Sequence, residues 1–358
     1  MAIKSILLLN TFIFLVNTAN GATPDSCFGQ ENLESFIKCW RNFIAKQDSI
    51  SEEDWPSVLP STAQLWDWKE LVSQMLSSDG TCNTLQIPQS IDFYKIRVFQ
   101  DQSVNASFCL LYEMNTTGDR FSKGWGIVVV PYRQNWARLN LHYSAAHPLT
   151  DGPVELQATA LFVRTNGRSL VITGATRNAS IVDSDCQPGN YRTDAAHDTR
   201  TMFHSTLITT RDWQFQSTEA QRCKSTNCAF IQFHGKANSS CRNDTIFLST
   251  GYSGQSQVYT NPDLPVNRLQ AAWTRNAPAN WTAHTPAEST CKLSATTNIF
   301  GRLLNGVQPG QECKTTADPR KVSGFFIHVE QAMVARETGA YDIWTKSILD
   351  AFKPAKRG

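Results

Sequence analysis

The sequence predicts an α/β fold: a mixed central sheet flanked by helices, with a small disulfide-tied helical region at the N-terminal end. Three observations carry this. Apolar runs of strand length recur from about residue 93 onward. Stretches with helical periodicity lie between several of those runs, the pattern of an α/β sheet. The segment before them, residues 27 to about 80, reads as helix instead.

The elements follow in chain order. Phe36, Cys39, Trp40 and Phe43 recur at helical spacing in SFIKCWRNFIAKQ, and LWDWKELVSQML repeats the pattern. Their aromatic stripe reads as core. The strand candidates are Phe93–Gln100, Phe108–Glu113, Trp125–Val130, Leu139–Ala146, Leu170–Thr173, Ala229–Phe233, Thr245–Ser249 and Phe325–Glu330. Helices are expected over Val154–Thr165, Asp194–Leu207, Leu264–Trp273 and Gln331–Phe352. Residues 274–320 are rich in Asn, Thr, Pro and Gly and read as a loop-rich insertion. The organisation is a signal peptide over 1–21, a helical region over 22–90 and an α/β hydrolase-like domain over 91–358.

Composition narrows the class. Of 358 residues 41% are hydrophobic and 18% charged, enough apolar material for a sizeable core. The 33 basic and 31 acidic residues leave a formal charge of +2, with no basic footprint for nucleic acid. Lys4, the apolar run Ile6–Val16 and the small residues Ala19 and Gly21 form a secretory signal, too short to span a bilayer. All ten cysteines follow it, as an oxidising compartment requires. Spacing would allow Cys223–Cys228 or Cys291–Cys313 as local pairs without fixing either. Six glycosylation sequons, at Asn105, Asn115, Asn178, Asn238, Asn243 and Asn280, complete the expectation of a secreted, extracellular glycoprotein. The nucleotide fingerprints and G-x-S-x-G are absent, which disfavours nucleotide cofactors and a serine nucleophile. There is no C-x-x-C.

Ligands of open α/β sheets bind beyond the carboxyl ends of strands. Four apolar runs end there in chemistry: LNLHYSAA in His147, SLVIT in Gly174 with Arg177 just beyond, FIQF in His234, and FFIHV in Glu330. Two imidazoles and a carboxylate, with a fourth position open, make a catalytic zinc set. His147 and His234 are the imidazole ligands. The carboxylate is open between Glu155, which can project back from the first turn of a helix, and Asp151. Glu330 shares a strand face with Phe326 and His328 and is the general base. Arg177 binds a substrate carboxylate or the oxyanion. Asp194 and His197 form a substrate wall or orient a ligand histidine. The simpler readings are a helix start for Asp151 and Asp194, a hydrogen-bonded core histidine for His147, and an ion pair between Arg177 and Glu330.

The ordered set His147, acidic residue, Arg177, His234, Glu330 resembles the zinc carboxypeptidase and amidase group with a phosphorylase/hydrolase-like fold. That group includes N-formylglutamate amidohydrolases and zinc-dependent cell-wall amidases. FIQFHGKANSS is similar to their second-histidine segment and FFIHVEQAMVAR to their catalytic-glutamate strand; the likeness spans about residues 125–340. It implies zinc as cofactor and cleavage of an amide bond in a peptide or small-molecule substrate. The chain departs from the carboxypeptidase H-x-x-E, having H-x₃-D and H-x₇-E; of these two carboxylates Glu155 is the expected ligand and Asp151 the alternative. That departure admits the alternative of a catalytically inactive binding glycoprotein on the same fold. The oligomeric state is not encoded in any motif.

Overall fold

The computed structural model describes residues 23–216, 223–254 and 257–353. The expected signal peptide lies outside them. Eleven strands form: β1 Tyr94–Asp101, β2 Ala106–Glu113, β3 Thr116–Thr117, β4 Arg120–Phe121, β5 Ile127–Pro131, β6 Asn140–Ala145, β7 Ser169–Ile172, β8 Cys228–Gly235, β9 Ile246–Ser249, β10 Ala283–His284 and β11 Phe326–Gln331. The helices are α1 Leu33–Trp40, α2 Trp55–Val58, α3 Thr62–Ser77, α4 Val154–Arg164, α5 Met202–Gln216, α6 Gln257–Thr260, α7 Pro265–Asn276, α8 Ile299–Leu304 and α9 Tyr341–Ala351.

Nine strands make one sheet in the order β1-β2-β5-β7-β6-β8-β11-β9-β10; β3 and β4 pair separately. The middle of the sheet is parallel, β7-β6-β8-β11, and antiparallel pairs flank it on both sides. The mixed sheet agrees with the sequence. Strands β5 to β9 are buried at almost every position, so they read as unbroken apolar runs rather than alternating ones.

Both faces of the sheet are covered. One carries Leu110, Val129, Leu141, Tyr143, Ile231, Phe233 and Val329 against α1, α4, α7 and α9. The other meets Trp68, Leu71 and Met75 of α3 around Leu111, Val128 and Val130, and Phe203 and Leu207 of α5 around Phe230 and Phe326. The N-terminal helices therefore divide between the two faces. Helix α3 starts on a capping box, Ser61 accepting from the Gln64 backbone and Gln64 reciprocating.

All ten cysteines pair: Cys27–Cys39, Cys82–Cys109, Cys186–Cys313, Cys223–Cys228 and Cys241–Cys291. The first ties the N-terminal region to itself and the second fastens it to β2. Of the two local pairs that spacing allowed, Cys223–Cys228 forms and Cys291–Cys313 does not. Among the described residues no helix is long and apolar enough to cross a membrane.

Two helix expectations need correction. The Asp194 segment is not helical until Met202, because Asp194 and Asp198 turn their carboxylates onto nearby backbone N–H groups, of Ala196 and Arg200. The last helix starts at Tyr341, not Gln331, which is the final residue of β11. The 274–320 segment is mostly irregular, as expected, but supplies β10 and α8.

Candidate metal centre

The parallel strands β6, β7, β8 and β11 all point their carboxyl ends the same way, so the four strand-end residues meet at one edge. Register then sets the neighbours. Glu330 lies beside His234, and His328 beside Gln232. His147 follows β6 by two residues. The loop after it folds back on itself, with Leu149 in the left-handed region and the Asp151 N–H donating to the His147 carbonyl at 3.1 Å. That turn is the reason an H-x₃-D spacing returns the carboxylate to the imidazole.

Three ligand atoms converge. His147 Nδ1 is 3.0 Å from His234 Nδ1, and Asp151 Oδ2 is 3.2 Å from each. Ligands about 2.0 Å from a tetrahedral zinc lie ~3.3 Å from one another. The triangle thus has the dimensions that such an ion sets, and all three residues are buried.

Proton bookkeeping sharpens the point. The Gly301 N–H donates to Asn298 Oδ1 at 2.9 Å, so Asn298 must turn its amide nitrogen outward, where it donates to Gln232 Oε1 at 2.6 Å. That oxygen also faces His234 Nε2 at 2.8 Å, so Nε2 carries the proton. His147 Nε2 likewise faces Asp194 Oδ1 at 2.9 Å. With both outer nitrogens donating, the imidazoles in their neutral forms would turn their Nδ1 lone pairs toward each other and toward a carboxylate oxygen; here the Arg177 guanidinium meets His147 Nδ1. A cation resolves that arrangement, and fixed outer-nitrogen partners are how ligating histidines are held.

Charge follows the same geometry. Burial would depress His147, but Asp194 and Asp151 outweigh it and raise it to about 9. Burial pushes His234 down to about 4. Asp151 and Asp194 are buried yet held below the usual carboxylate range by His147. Burial and the Asp151 charge push Glu330 up to about 8.

Glu155, the first sequence choice for the carboxylate ligand, lies outside the triangle. Its Oε1 pairs with Arg41 of the N-terminal region at 2.5 Å, and its Oε2 accepts from the Leu149 N–H at 3.4 Å. It braces the loop that carries Asp151. The same N-terminal region supports the Arg177 loop: Ala45, Asp48 and Ile50 donate backbone hydrogen bonds to Gly174, Asn178 and Ala179. Asp151 is not a helix cap either, since α4 starts at Val154 with Pro153 as its N-cap and no side-chain cap bond.

Arg177 does not pair with Glu330. One guanidinium nitrogen touches His147 Nδ1 and donates to Asp151 Oδ1 at 2.8 Å. Glu330 instead faces His328 Nε2 at 3.6 Å. His328, whose Nδ1 is buried without a partner among the described residues, packs its ring 4.5 Å from that of His234. Its place was readable from the alternation that put it on the Glu330 face. Arg336 carried no such signal: it donates to the carbonyls of Asp151 and Lys236 and clamps the two ligand loops together.

His147, Arg177, His197, His234, His328 and Glu330 line an open cleft of about 220 Å³, whose far wall is Lys292–Asn298 of the loop-rich segment. Two further clusters lie among the described residues: His234, His328 and Glu330, which shares His234 with the first, and Cys241, Asp244 and Cys291, which has its sulfurs in a disulfide and offers no thiolate. His142 is a satisfied core histidine between Ser169 and Gln214. Five sequon asparagines are exposed; Asn178, beside Arg177, is half-buried with its Oδ1 buried. No protein-family model, curated protein or solved structure matches the sequence.

Proposed function

We propose that this chain is a secreted metal-dependent hydrolase of amide bonds, in which His147, His234 and Asp151 hold a zinc ion. The observation that carries the reading is the convergence of two imidazole Nδ1 atoms and one carboxylate oxygen, 3.0–3.2 Å from one another, with both outer nitrogens committed elsewhere. When bound, zinc supplies a Lewis acid for the scissile carbonyl and brings the pKa of water to about 7.

The side chains around it do the rest. Glu330 takes a proton from water and returns it to the leaving nitrogen; its raised affinity for protons suits both steps. Arg177 is partly exposed in the cleft and holds a substrate carboxylate or the developing oxyanion. For a metal to take His147 Nδ1, the Arg177 guanidinium would have to leave that nitrogen. Gln232 and Asp194 keep the ligand histidines in one tautomer. The resemblance to zinc carboxypeptidases and amidases supports the same roles. The disulfides and sequons support an extracellular glycoprotein.

One observation favours the inactive binding glycoprotein. The guanidinium of Arg177 already serves as the cation at His147 Nδ1 and Asp151. Metal content decides. Elemental mass spectrometry of the purified protein, dialysed against metal-free buffer, should find about one zinc per chain, lost in His147→Ala and in His234→Ala. Glu330→Gln should keep the zinc and lose turnover of acylated amino acids or peptides roughly 10²-fold or more. No zinc, even on titration, would replace this reading with the binding glycoprotein.

A further inference from the structure

His197 is half-buried on the wall of the cleft and is neither a metal ligand nor a partner of one. Its protonation pattern is set by a chain of hydrogen bonds that leaves no choice. The Thr297 carbonyl can only accept, and it lies 2.8 Å from the side-chain nitrogen of Gln187. Gln187 must therefore turn its oxygen to the other side, where it meets His197 Nδ1 at 2.7 Å. Nδ1 carries the proton and donates. Burial disfavours the imidazolium, so the ring is neutral. Its Nε2 is then a bare acceptor, without a hydrogen-bond partner among the described residues and not buried.

The ring is also firmly placed. Gln187 is buried and follows Cys186, which is bonded to Cys313. The His197 N–H donates to the Asp194 carbonyl at 2.9 Å, and the preceding carbonyl, of Ala196, accepts from Ile299. A rigid acceptor of this kind has lost its rotational freedom before any ligand arrives.

Besides Glu330 and His328, which flank the proposed reacting centre, the cleft carries groups of the opposite sign. Arg177 and Lys292 present donors, which suit oxygen atoms. A secondary amide satisfies donors on one side with its oxygen and an acceptor on the other with its N–H. We infer that His197 Nε2 accepts the N–H of a peptide-type amide, and that the substrates are N-acylated amino acids or peptides rather than esters or tertiary amides. The inference deepens the proposed function by naming the substrate class, and it rests on that reading for the location of the reacting bond. His197 is a specificity-determining residue here.

The test is equilibrium binding by calorimetry, with and without zinc, using the Glu330→Gln protein so that nothing is turned over. The probes are N-acetyl dipeptide amides and their counterparts methylated at each amide nitrogen in turn. One methylated nitrogen should weaken binding roughly 10- to 100-fold, as expected when a fixed acceptor is left unsatisfied. His197→Phe should bind the parent peptide correspondingly weakly and no longer distinguish that methylated form. The methylated peptides need no variant, so a His197→Phe protein that failed to fold would still leave a result. Equal binding of every methylated form, or no binding of any peptide, would overturn the inference. Discrimination by methylation in a protein whose wild type hydrolyses none of the peptides would uphold the role of His197 while removing the hydrolase reading.

Discussion

Gly235→Ala puts the smallest perturbation at the closest approach in the site. Gly235 ends β8, one residue after His234, and its N–H donates to Asp151 Oδ2 at 3.2 Å. A methyl group there would overlap both the Arg336 guanidinium and the Asp151 carbonyl oxygen. The guanidinium can swing aside, giving up its bonds to the Asp151 and Lys236 carbonyls; hydrogen bonds from a charged donor are worth about 1.5–3 kcal/mol each. The carbonyl is backbone and moves only with the loop that carries the Asp151 carboxylate. The expected loss of stability is about 3–5 kcal/mol, with metal affinity down roughly 10- to 100-fold as the triangle opens. Urea denaturation and zinc titration against a competing chelator measure the two effects. Arg336→Ala is the control, since it removes the same bonds without the overlap. In the double variant only the Asp151 overlap remains, so the two changes together should cost less than the sum of the single ones. A Gly235→Ala protein within 1 kcal/mol of wild type, binding zinc normally, would refute both the close approach and the clamp.

Two further predictions concern buried carboxylates. Glu113 is fully buried on β2, accepts from the N–H groups of Lys123 and Gly124, and burial pushes it from 4.5 up to about 8. Below pH 4.5 both states hold the proton. Between 4.5 and 8 only the unfolded chain releases it, so stability falls as pH rises through that window. Denaturation midpoints of wild type and Glu113→Gln at several pH values should show a shallower decline in the variant; parallel curves would place the titration elsewhere. Arg41→Ala strands Glu155 without its cation and should cost about 2–4 kcal/mol, largely restored by adding Glu155→Gln. Glu155→Gln should retain zinc in the elemental assay while Asp151→Asn loses it, and the reverse outcome would return Glu155 to the ligand set.

The strands were legible because the core strands are buried on both faces and so read as apolar runs of strand length bounded by turn residues. The strand-end residues were legible for a related reason. A parallel sheet gathers its carboxyl ends, so His147, Arg177, His234 and Glu330 could be grouped without knowing the strand order. Ligand choice was not. H-x₃-D and H-x₇-E both reach an imidazole on paper, and only the turn from His147 to Asp151, together with the Arg41 side chain more than 100 residues away, separates them. Gln232, Asn298, Gln187 and Arg336 were unreadable because their work is done across register and between loops. His328 was the exception, since two-residue alternation already placed it beside Glu330. The Asp194 segment misled because aspartates that can start a helix can also satisfy backbone donors in a turn.

The strand order has a consequence for how the centre comes into being. Strand β8 sits between β6 and β11, so its His234 joins His147, 87 residues earlier, and lies beside Glu330, 96 residues later. No short stretch of chain contains the whole of the proposed metal set; His147 and Asp151 are local, but His234 comes from a distant strand. Contacts of such sequence separation close slowly. An ion bound by the proposed set would thus be a late arrival, captured by a sheet already assembled. In this respect the chain is the opposite of a zinc finger, where the metal does the folding. Supply of metal would govern when the protein begins to work, and have little say in whether it matures.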